Sequence, residues 1–185
     1  AADPTVQAWL ASHPARAADP EWHLTLQRQF TNRFLALVRD LMKRKFPAKE
    51  ANMRVVMWDE ILDVSPQNLS SVVVQYWRGW RHEMLPKAKN ANVDLVWSEN
   101  FYLDFTDRPF EYFYKAEDFE ATEWTSSTRL LGGEACSWSE SADEANVDDR
   151  IFKRLPAIAE RLWSPASVKD VKLAQDRLSP FLCRL

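Results

Sequence analysis

The sequence predicts an α/β fold in which buried parallel strands alternate with helices. Short apolar runs rich in β-branched residues recur along the 185-residue chain, as is typical of strands buried on both faces. Segments with apolar residues at three- and four-residue steps lie between them and indicate amphipathic helices. Each strand ends in an aromatic residue close to a polar or acidic one, where βα folds carry their functional side chains.

The first long element is a helix over residues 22–46. Its apolar stripe comprises Leu26, Phe30, Phe34, Leu37, Val38, Leu41 and Met42. Pro47 ends this helix, because proline lacks an amide hydrogen and its ring clashes with the preceding turn.

Four apolar runs predict the strands. They span residues 54–58, 71–77, 93–97 and 129–138. A short helix over residues 82–91 joins the second and third strands, although Pro86 weakens its helical pattern. Two further helices, over residues 149–163 and 167–184, follow the fourth strand.

This alternation implies parallel βα units. A complete barrel of eight such units needs about 250 residues, so four strands amount to about half of one. A freestanding half barrel would expose two parallel edges, which natural proteins avoid. The pattern therefore fits either an open α/β sandwich or one part of a larger barrel.

Composition is that of a globular protein, with 46% hydrophobic and 28% charged residues and a net charge of −3. Basic residues are interspersed with acidic ones, which argues against a nucleic-acid surface. No apolar run approaches the roughly 20 residues that a membrane-spanning helix needs. The three histidines lack ligand spacing, so we expect neither a metal nor another cofactor.

The sequence permits two kinds of covalent modification, a disulfide and N-glycosylation, and decides neither. Cys136 and Cys183 permit either one disulfide or two free thiols. The triplet Asn68-Leu69-Ser70 is an acceptor sequence for N-glycosylation, which matters only in a secreted protein.

The strand ends combine tryptophan with carboxylates. These residues are Trp58, Asp59 and Glu60, then Trp77, then Tyr102 and Asp104, and finally Trp138 and Glu140. Indole rings pack against the C–H faces of a pyranose, and carboxylates accept hydrogen bonds from sugar hydroxyls. The combination therefore indicates a carbohydrate site.

At these residues the sequence resembles the C-terminal half of the catalytic barrel of family 20 glycoside hydrolases, the β-N-acetylhexosaminidases of the animal lysosomal type. The matching motifs are 58-WDEIL-62, 75-QYWRG-79, 101-FYLDF-105, 131-LGGEACSWSE-140 and 154-RLPAIAERLWS-164. The resemblance implies a TIM (β/α)8 barrel that needs its N-terminal half to close. Residues 1–50 would be the loop and helix after strand 4, residues 51–165 would contain strands 5 to 8, and residues 166–185 would form the C-terminal helix.

The resemblance also implies roles for single residues. The pocket walls around the sugar face and its 2-acetamido group would be Trp58, Trp77 and Trp138. Tyr102 would donate its hydroxyl to the acetamide carbonyl oxygen. Asp104 and Glu140 would hold the O4 and O6 hydroxyls of the terminal sugar.

Other residues are expected to have structural roles. Trp97, Trp124 and Trp163 are assigned to packing, Glu134 and Glu160 to ion pairs or hydrogen bonds, and Asp59 and Glu60 to fixing a strand end to its neighbouring loops. Phe101 and Phe110 stand where the family usually has tryptophan, which predicts a thinner aromatic wall.

In this family the substrate's own acetamide is the nucleophile, and an adjacent Asp-Glu pair supplies an orienting carboxylate and the general acid. The resemblance places that pair upstream of Ala1, so residues 1–185 alone are expected to be inactive. The chain would be part of an enzyme that removes terminal N-acetylglucosamine or N-acetylgalactosamine. The alternative is a non-catalytic remnant that binds glycans or has a structural role.

The resemblance implies several partners. They are the terminal N-acetylhexosamine of a glycan, the N-terminal half of the barrel from the same precursor or a separate chain, and a second copy in a homodimer. The expected location is lysosomal or secreted. Cys183 would bond to a cysteine beyond the end of this chain.

Overall fold

The computed structural model describes residues 3–14, 18, 20–49, 52–64, 68–78, 81–115, 129–165 and 167–184. The chain divides into two compact units. The first comprises Ala1–Val55 and Glu60–Ser71, and the second comprises Val56–Asp59 and Val72–Leu185.

The described part of the first unit is mostly helical. It contains α1 (Pro4–Ser12), α2 (Trp22–Lys45) and α3 (Ile61–Val64). The predicted long helix is confirmed as α2, which ends just before Phe46 and Pro47. Leu35 and Met42 of α2 are buried, as are Ile61, Leu62 and Val64 of α3.

The apolar stripe predicted for α2 is largely exposed in the described residues. The buried side chains of this helix are Thr31, Leu35 and Met42. Phe30, Phe34, Leu37 and Leu41 are exposed. The first buried position, Thr31, comes one residue after Phe30. Because successive helical residues are rotated by about 100° around the axis, the buried face of α2 is rotated relative to the predicted stripe.

The second unit contains the strands and most of the remaining helices. Its elements are β1 (Val55–Trp58, shared with the first unit), β2 (Val72–Tyr76), α4 (Arg81–Ala91), β3 (Asp94–Trp97), α5 (Phe110–Lys115), β4 (Leu130–Gly133), α6 (Val147–Phe152), α7 (Leu155–Trp163) and α8 (Val171–Leu182). The strands form one sheet in the order β1-β2-β3-β4. β2 pairs in parallel with β3, and β3 pairs in parallel with β4.

All four predicted strands are present, but the fourth spans Leu130–Gly133 rather than residues 129–138, and the burial of the strands differs from the prediction. All five residues of β2 are buried, as expected for a strand covered on both faces. β1 alternates instead, with Val56 and Trp58 exposed, so the prediction that it is buried on both faces is wrong. β1 lies at one edge of the sheet and has only one neighbouring strand among the described residues.

The helices after β4 also differ from the prediction. The single helix expected over residues 149–163 is two helices, α6 and α7, separated at Lys153 and Arg154. Pro156 lies in the first turn of α7, where its missing amide hydrogen costs no intrahelical bond. The last helix begins later than expected, because the Asp170 side chain caps it by accepting the backbone N–H of Leu173.

A bulge in β4 sets the position of the residues that follow it. Leu95 pairs with Leu130 whereas Val96 pairs with Gly132, so β4 has one extra residue at Leu131. After the bulge the chain packs tightly at Gly133, where an added Cβ would lie 2.8 Å from the Leu162 side chain. Only glycine fits there without a shift of its neighbours.

Candidate active site

Four of the predicted site residues come together at the carboxyl ends of the strands in the second unit. The ring centroid of Trp58 lies 6.2 Å from that of Trp77 and 6.1 Å from that of Trp138. Trp77 lies 6.2 Å from Tyr102. The three tryptophans are 39%, 36% and 47% exposed, so their rings form an apolar surface that water reaches.

The loops after β3 and β4 are joined by backbone bonds. The Leu103 N–H donates to the Cys136 carbonyl at 2.8 Å, and the Cys136 N–H donates to the Phe101 carbonyl at 3.0 Å. Tyr102 and Cys136 form an isolated parallel bridge between these two bonds. The loop that carries Trp138 therefore has a defined register against the loop that carries Tyr102.

Asp104 strengthens the same junction. Its Oδ1 and Oδ2 atoms accept the backbone N–H of Trp138 at 2.9 and 3.1 Å. Each carboxylate oxygen retains a further lone pair, so Asp104 keeps capacity for another donor. Glu140, two residues beyond Trp138, is exposed.

Asp59 has the structural role predicted for it. Its carboxylate is fully buried and accepts the backbone N–H groups of Trp77 and Arg78 at 3.1 and 3.3 Å. The Arg78 Nε atom lies 2.5 Å from Asp59 Oδ1. Burial raises the pKa of Asp59 above its usual value, and the Trp77 N–H and the Arg78 charge oppose that rise. Asp59 joins the end of β1 to the end of β2.

A polar network around Gln75 of β2 was not predicted. Gln75 is buried in β2, and its Nε2 atom donates to Ser98 Oγ at 2.8 Å and to Glu134 Oε1 at 2.5 Å. The Cys136 sulfur lies 3.7 Å from the same nitrogen. An amide in an otherwise apolar strand was the available signal in the sequence, because a buried amide needs partners.

The ionisation of Tyr102 and Cys136 limits the chemistry that they can perform. Burial raises the pKa of the Tyr102 hydroxyl, and interaction with Cys136 raises it further. Burial also raises the pKa of the Cys136 thiol. Tyr102 therefore remains a hydrogen-bond donor at neutral pH, and Cys136 lacks the thiolate character of a nucleophile.

The expectations for the other aromatic residues are met only in part. Trp97 is fully buried, as predicted, whereas Trp163 is 91% exposed, so the assignment of Trp163 to packing is wrong. Trp163 follows the buried Arg161 by two residues, which puts it on the opposite face of α7. Trp124 lies outside the described residues.

Phe101 cannot belong to an exposed aromatic wall, because it is fully buried. The expectation that phenylalanine at this position thins the wall is therefore wrong. Phe110 is partly buried and stacks on Tyr114, with 5.6 Å between ring centroids.

The predicted structural roles of two glutamates are confirmed. Glu134 accepts the Gln75 amide, as described above. Glu160 accepts the Tyr114 hydroxyl at 3.0 Å and pairs with Arg177.

Neither Cys136 nor Cys183 forms a disulfide in this structure. Across the described residues, His, Cys, Asp and Glu side chains form no group of three or more that could hold a metal ion. In this described part of the chain, none of the helices has the length and apolar character needed to span a membrane.

The parallel strands and the helices between them define an α/β protein, and the aromatic residues that follow the strands are consistent with half of a (β/α)8 barrel. Within that class the chain belongs to glycosyl hydrolase family 20, whose catalytic-domain model matches residues 2–166. The predicted family is therefore confirmed.

The similar curated proteins are β-hexosaminidases. Beta-hexosaminidase subunit beta of Sus scrofa is 32% identical over 140 residues, which cover 71% of this chain and 26% of that protein. The Homo sapiens subunit beta is 31% identical over 139 residues, which cover 72% and 25%. The chain thus spans about a quarter of the length of the curated relatives it matches.

Solved structures show the same fold. The β-N-acetylhexosaminidase from Bacteroides fragilis NCTC 9343 matches 98% of this chain and 37% of its own, with a TM-score of 0.69 at 20% identity. The exo β-N-acetylglucosaminidase from Vibrio harveyi, solved in complex with N-acetylglucosamine, covers 98% and 28% with a TM-score of 0.68 at 20% identity. These likenesses confirm the α/β fold class and favour half of a (β/α)8 barrel over an open sandwich.

We predict that Asp59→Asn destabilises the intact protein by about 3 kcal/mol or more, because it leaves the Arg78 charge without its buried partner. Urea unfolding would measure the loss. Asp176→Asn is the matched control, since Asp176 forms an exposed pair with Lys172 and should change stability very little. An Asp59→Asn protein of unchanged stability that had lost a catalytic activity would show that Asp59 is a catalytic group instead.

Proposed function

We propose that this chain is the C-terminal half of the catalytic barrel, strands 5 to 8, of a β-N-acetylhexosaminidase. The enzyme would remove terminal N-acetylglucosamine or N-acetylgalactosamine from glycans. The observation that carries the proposal is the exposed cluster of Trp58, Trp77 and Trp138 beside Tyr102 in a member of family 20. Three indole rings close together at or beyond the carboxyl ends of β1, β2 and β4 offer apolar faces that suit the C–H face of a sugar.

In the proposed reaction the substrate's acetamide is the nucleophile. Its carbonyl oxygen attacks the anomeric carbon while the bond to the leaving oxygen breaks. Water then opens the cyclic intermediate, so the product keeps the configuration of the substrate. The protonated Tyr102 hydroxyl donates a hydrogen bond to the acetamide carbonyl oxygen and holds it in line with the anomeric carbon.

Two further carboxyl groups complete the mechanism. One must orient the acetamide nitrogen, and the other must protonate the leaving oxygen. We assign these roles to an adjacent Asp-Glu pair in the N-terminal half of the barrel, which comes from the same precursor or from a separate chain. Residues 1–185 by themselves would then be inactive.

Asp104 and Glu140 are the proposed ligands of the sugar's O4 and O6 hydroxyls. The Trp138 N–H fixes the Asp104 carboxylate, so its direction is set before a substrate arrives. Within this proposal residues 1–50 are the loop and helix after strand 4, residues 51–165 contain strands 5 to 8, and residues 166–185 are the C-terminal helix. We further propose a lysosomal or secreted location and a homodimeric assembly.

The proposal predicts that the intact protein cleaves a chromogenic β-N-acetylglucosaminide but not the matching β-glucoside. The glucoside lacks the acetamide and therefore lacks the nucleophile. Chromophore release by both substrates would contradict substrate assistance. Release by neither, together with binding of the glycan, would support the non-catalytic alternative.

We predict that Tyr102→Phe lowers kcat by about 100-fold, because the acetamide loses the donor that holds it in line. Steady-state kinetics with the chromogenic N-acetylglucosaminide would measure the change. Tyr112→Phe is the matched control: the Tyr112 hydroxyl accepts a hydrogen bond from Asn100 and its ring contacts Phe105 rather than the tryptophan cluster. Equal kcat values for the two variants would exclude the proposed role of Tyr102.

We predict that the enzyme discriminates against 6-sulfated N-acetylglucosaminides, because the Asp104 carboxylate would lie beside the sulfate. Two like charges about 4 Å apart near a protein surface repel each other by about 1–4 kcal/mol. Asp104→Asn, which keeps an acceptor for the Trp138 N–H, should raise the ratio of kcat/KM for the sulfated substrate to that for the plain one by about 10-fold or more. Asp107→Asn, at an exposed position three residues along the chain, should leave the ratio unchanged. Equal turnover of the two substrates by the unsubstituted enzyme would refute the idea.

A further inference from the structure

We propose that Asn68 carries an N-linked glycan and that the protein matures in the compartment where this modification occurs. Asn68-Leu69-Ser70 is the single Asn-X-Ser/Thr triplet of the sequence. It lies in the connection between α3 and β2, within the first compact unit. The inference does not depend on the proposed hydrolytic activity.

The turn at this triplet orients the asparagine amide for modification. The Asn68 side chain is exposed, and its Oδ1 atom accepts the Ser70 backbone N–H at 2.9 Å and the Ser70 hydroxyl at 2.8 Å. A backbone N–H can only donate, so the side-chain atom that faces it must be the carbonyl oxygen. The Asn68 Nδ2 atom, which would bear the glycan, donates no hydrogen bond to any residue that the structure describes.

The same turn brings together the two side chains that the acceptor triplet requires. Both Ser70 contacts are local, two residues apart, so they can form before the rest of the chain folds. The hydroxyl donates to the carboxamide oxygen and leaves the nitrogen available. In the transfer a bond forms between Nδ2 and the anomeric carbon of an oligosaccharide carried on a pyrophosphate donor. The bond from that carbon to the pyrophosphate oxygen breaks with its electron pair, and Nδ2 loses one proton.

A glycan on Nδ2 is compatible with the folded structure. Arg39 of α2 also holds the turn: Nη2 donates to the Asn68 carbonyl at 2.8 Å, and Nε donates to Ser71 Oγ at 2.9 Å. None of these contacts uses Nδ2, so the attached sugar would leave them intact. The triplet belongs to the first compact unit, whereas the residues of the candidate active site belong to the second.

Mass spectrometry of the peptide that contains Asn68 tests the proposal. The full-length protein, expressed from its own reading frame in eukaryotic cells, should carry a glycan on most copies of Asn68. Treatment with an amide-cleaving glycosidase should remove that glycan and leave aspartate at the position. Asn68→Gln and Ser70→Ala should abolish the modification, whereas Ser70→Thr should retain it because threonine supplies the same hydroxyl.

Asn52→Gln is the control, since Asn52 is exposed but belongs to no acceptor triplet, and the glycan should persist in that variant. Recovery of the protein with Asn68 unmodified would overturn the proposal, as would a glycan that survives in Ser70→Ala. Hydrolysis of N-acetylglucosaminides is measured separately on the same samples. An inactive but glycosylated protein would count against the proposed function alone.

Discussion

The buried carboxylate of Asp59 accepts two backbone N–H groups at the end of β2 and pairs with the guanidinium of Arg78. A carboxylate this deeply buried is tolerated only when its charge and its lone pairs are satisfied, and here both conditions are met. Since Asp59 follows Trp58 directly and its partners begin at Trp77, this one side chain fixes the relative position of two strand ends. The spacing of the first two indole rings depends on that junction, and Trp138 in turn lies against Trp58.

Elements whose burial is determined within a short segment could be predicted from the sequence. β2 is a run of consecutive apolar residues and is buried throughout. Side-chain exposure set by distant parts of the chain could not be predicted. Phe101 follows β3 like the site residues, yet it is buried, and its ring packs so close to Gly133 that an added Cβ there would lie only 3.0 Å from it. Val56 is as apolar as its neighbours, but β1 is an edge strand and leaves it exposed.

The same distinction applies to the candidate site. The carboxyl-end rule for parallel strands was sufficient to bring Trp58, Trp77, Tyr102 and Trp138 together. The hydrogen bonds of the residues near them cannot be predicted from the sequence, because each bond joins residues far apart along the chain. The Gln75 amide donates to Glu134, and Asp104 accepts the backbone N–H of Trp138. Every residue except proline has a backbone N–H, so the sequence does not reveal which of them donates to Asp104. The orientation of the Asp104 carboxylate is therefore known only from the structure.

The bond between Asp104 and the Trp138 backbone has a thermodynamic consequence. Any ligand that donates hydrogen bonds to Asp104 acts on the group that holds the loop after β4, so ligand binding and loop order are linked. This linkage is reciprocal. If ligand binding stabilises the ordered loop by a given free energy, ordering of the loop strengthens ligand binding by the same free energy. Substitutions at Asp104 and in residues 134–140 should therefore combine non-additively, and a double-mutant cycle would measure their coupling.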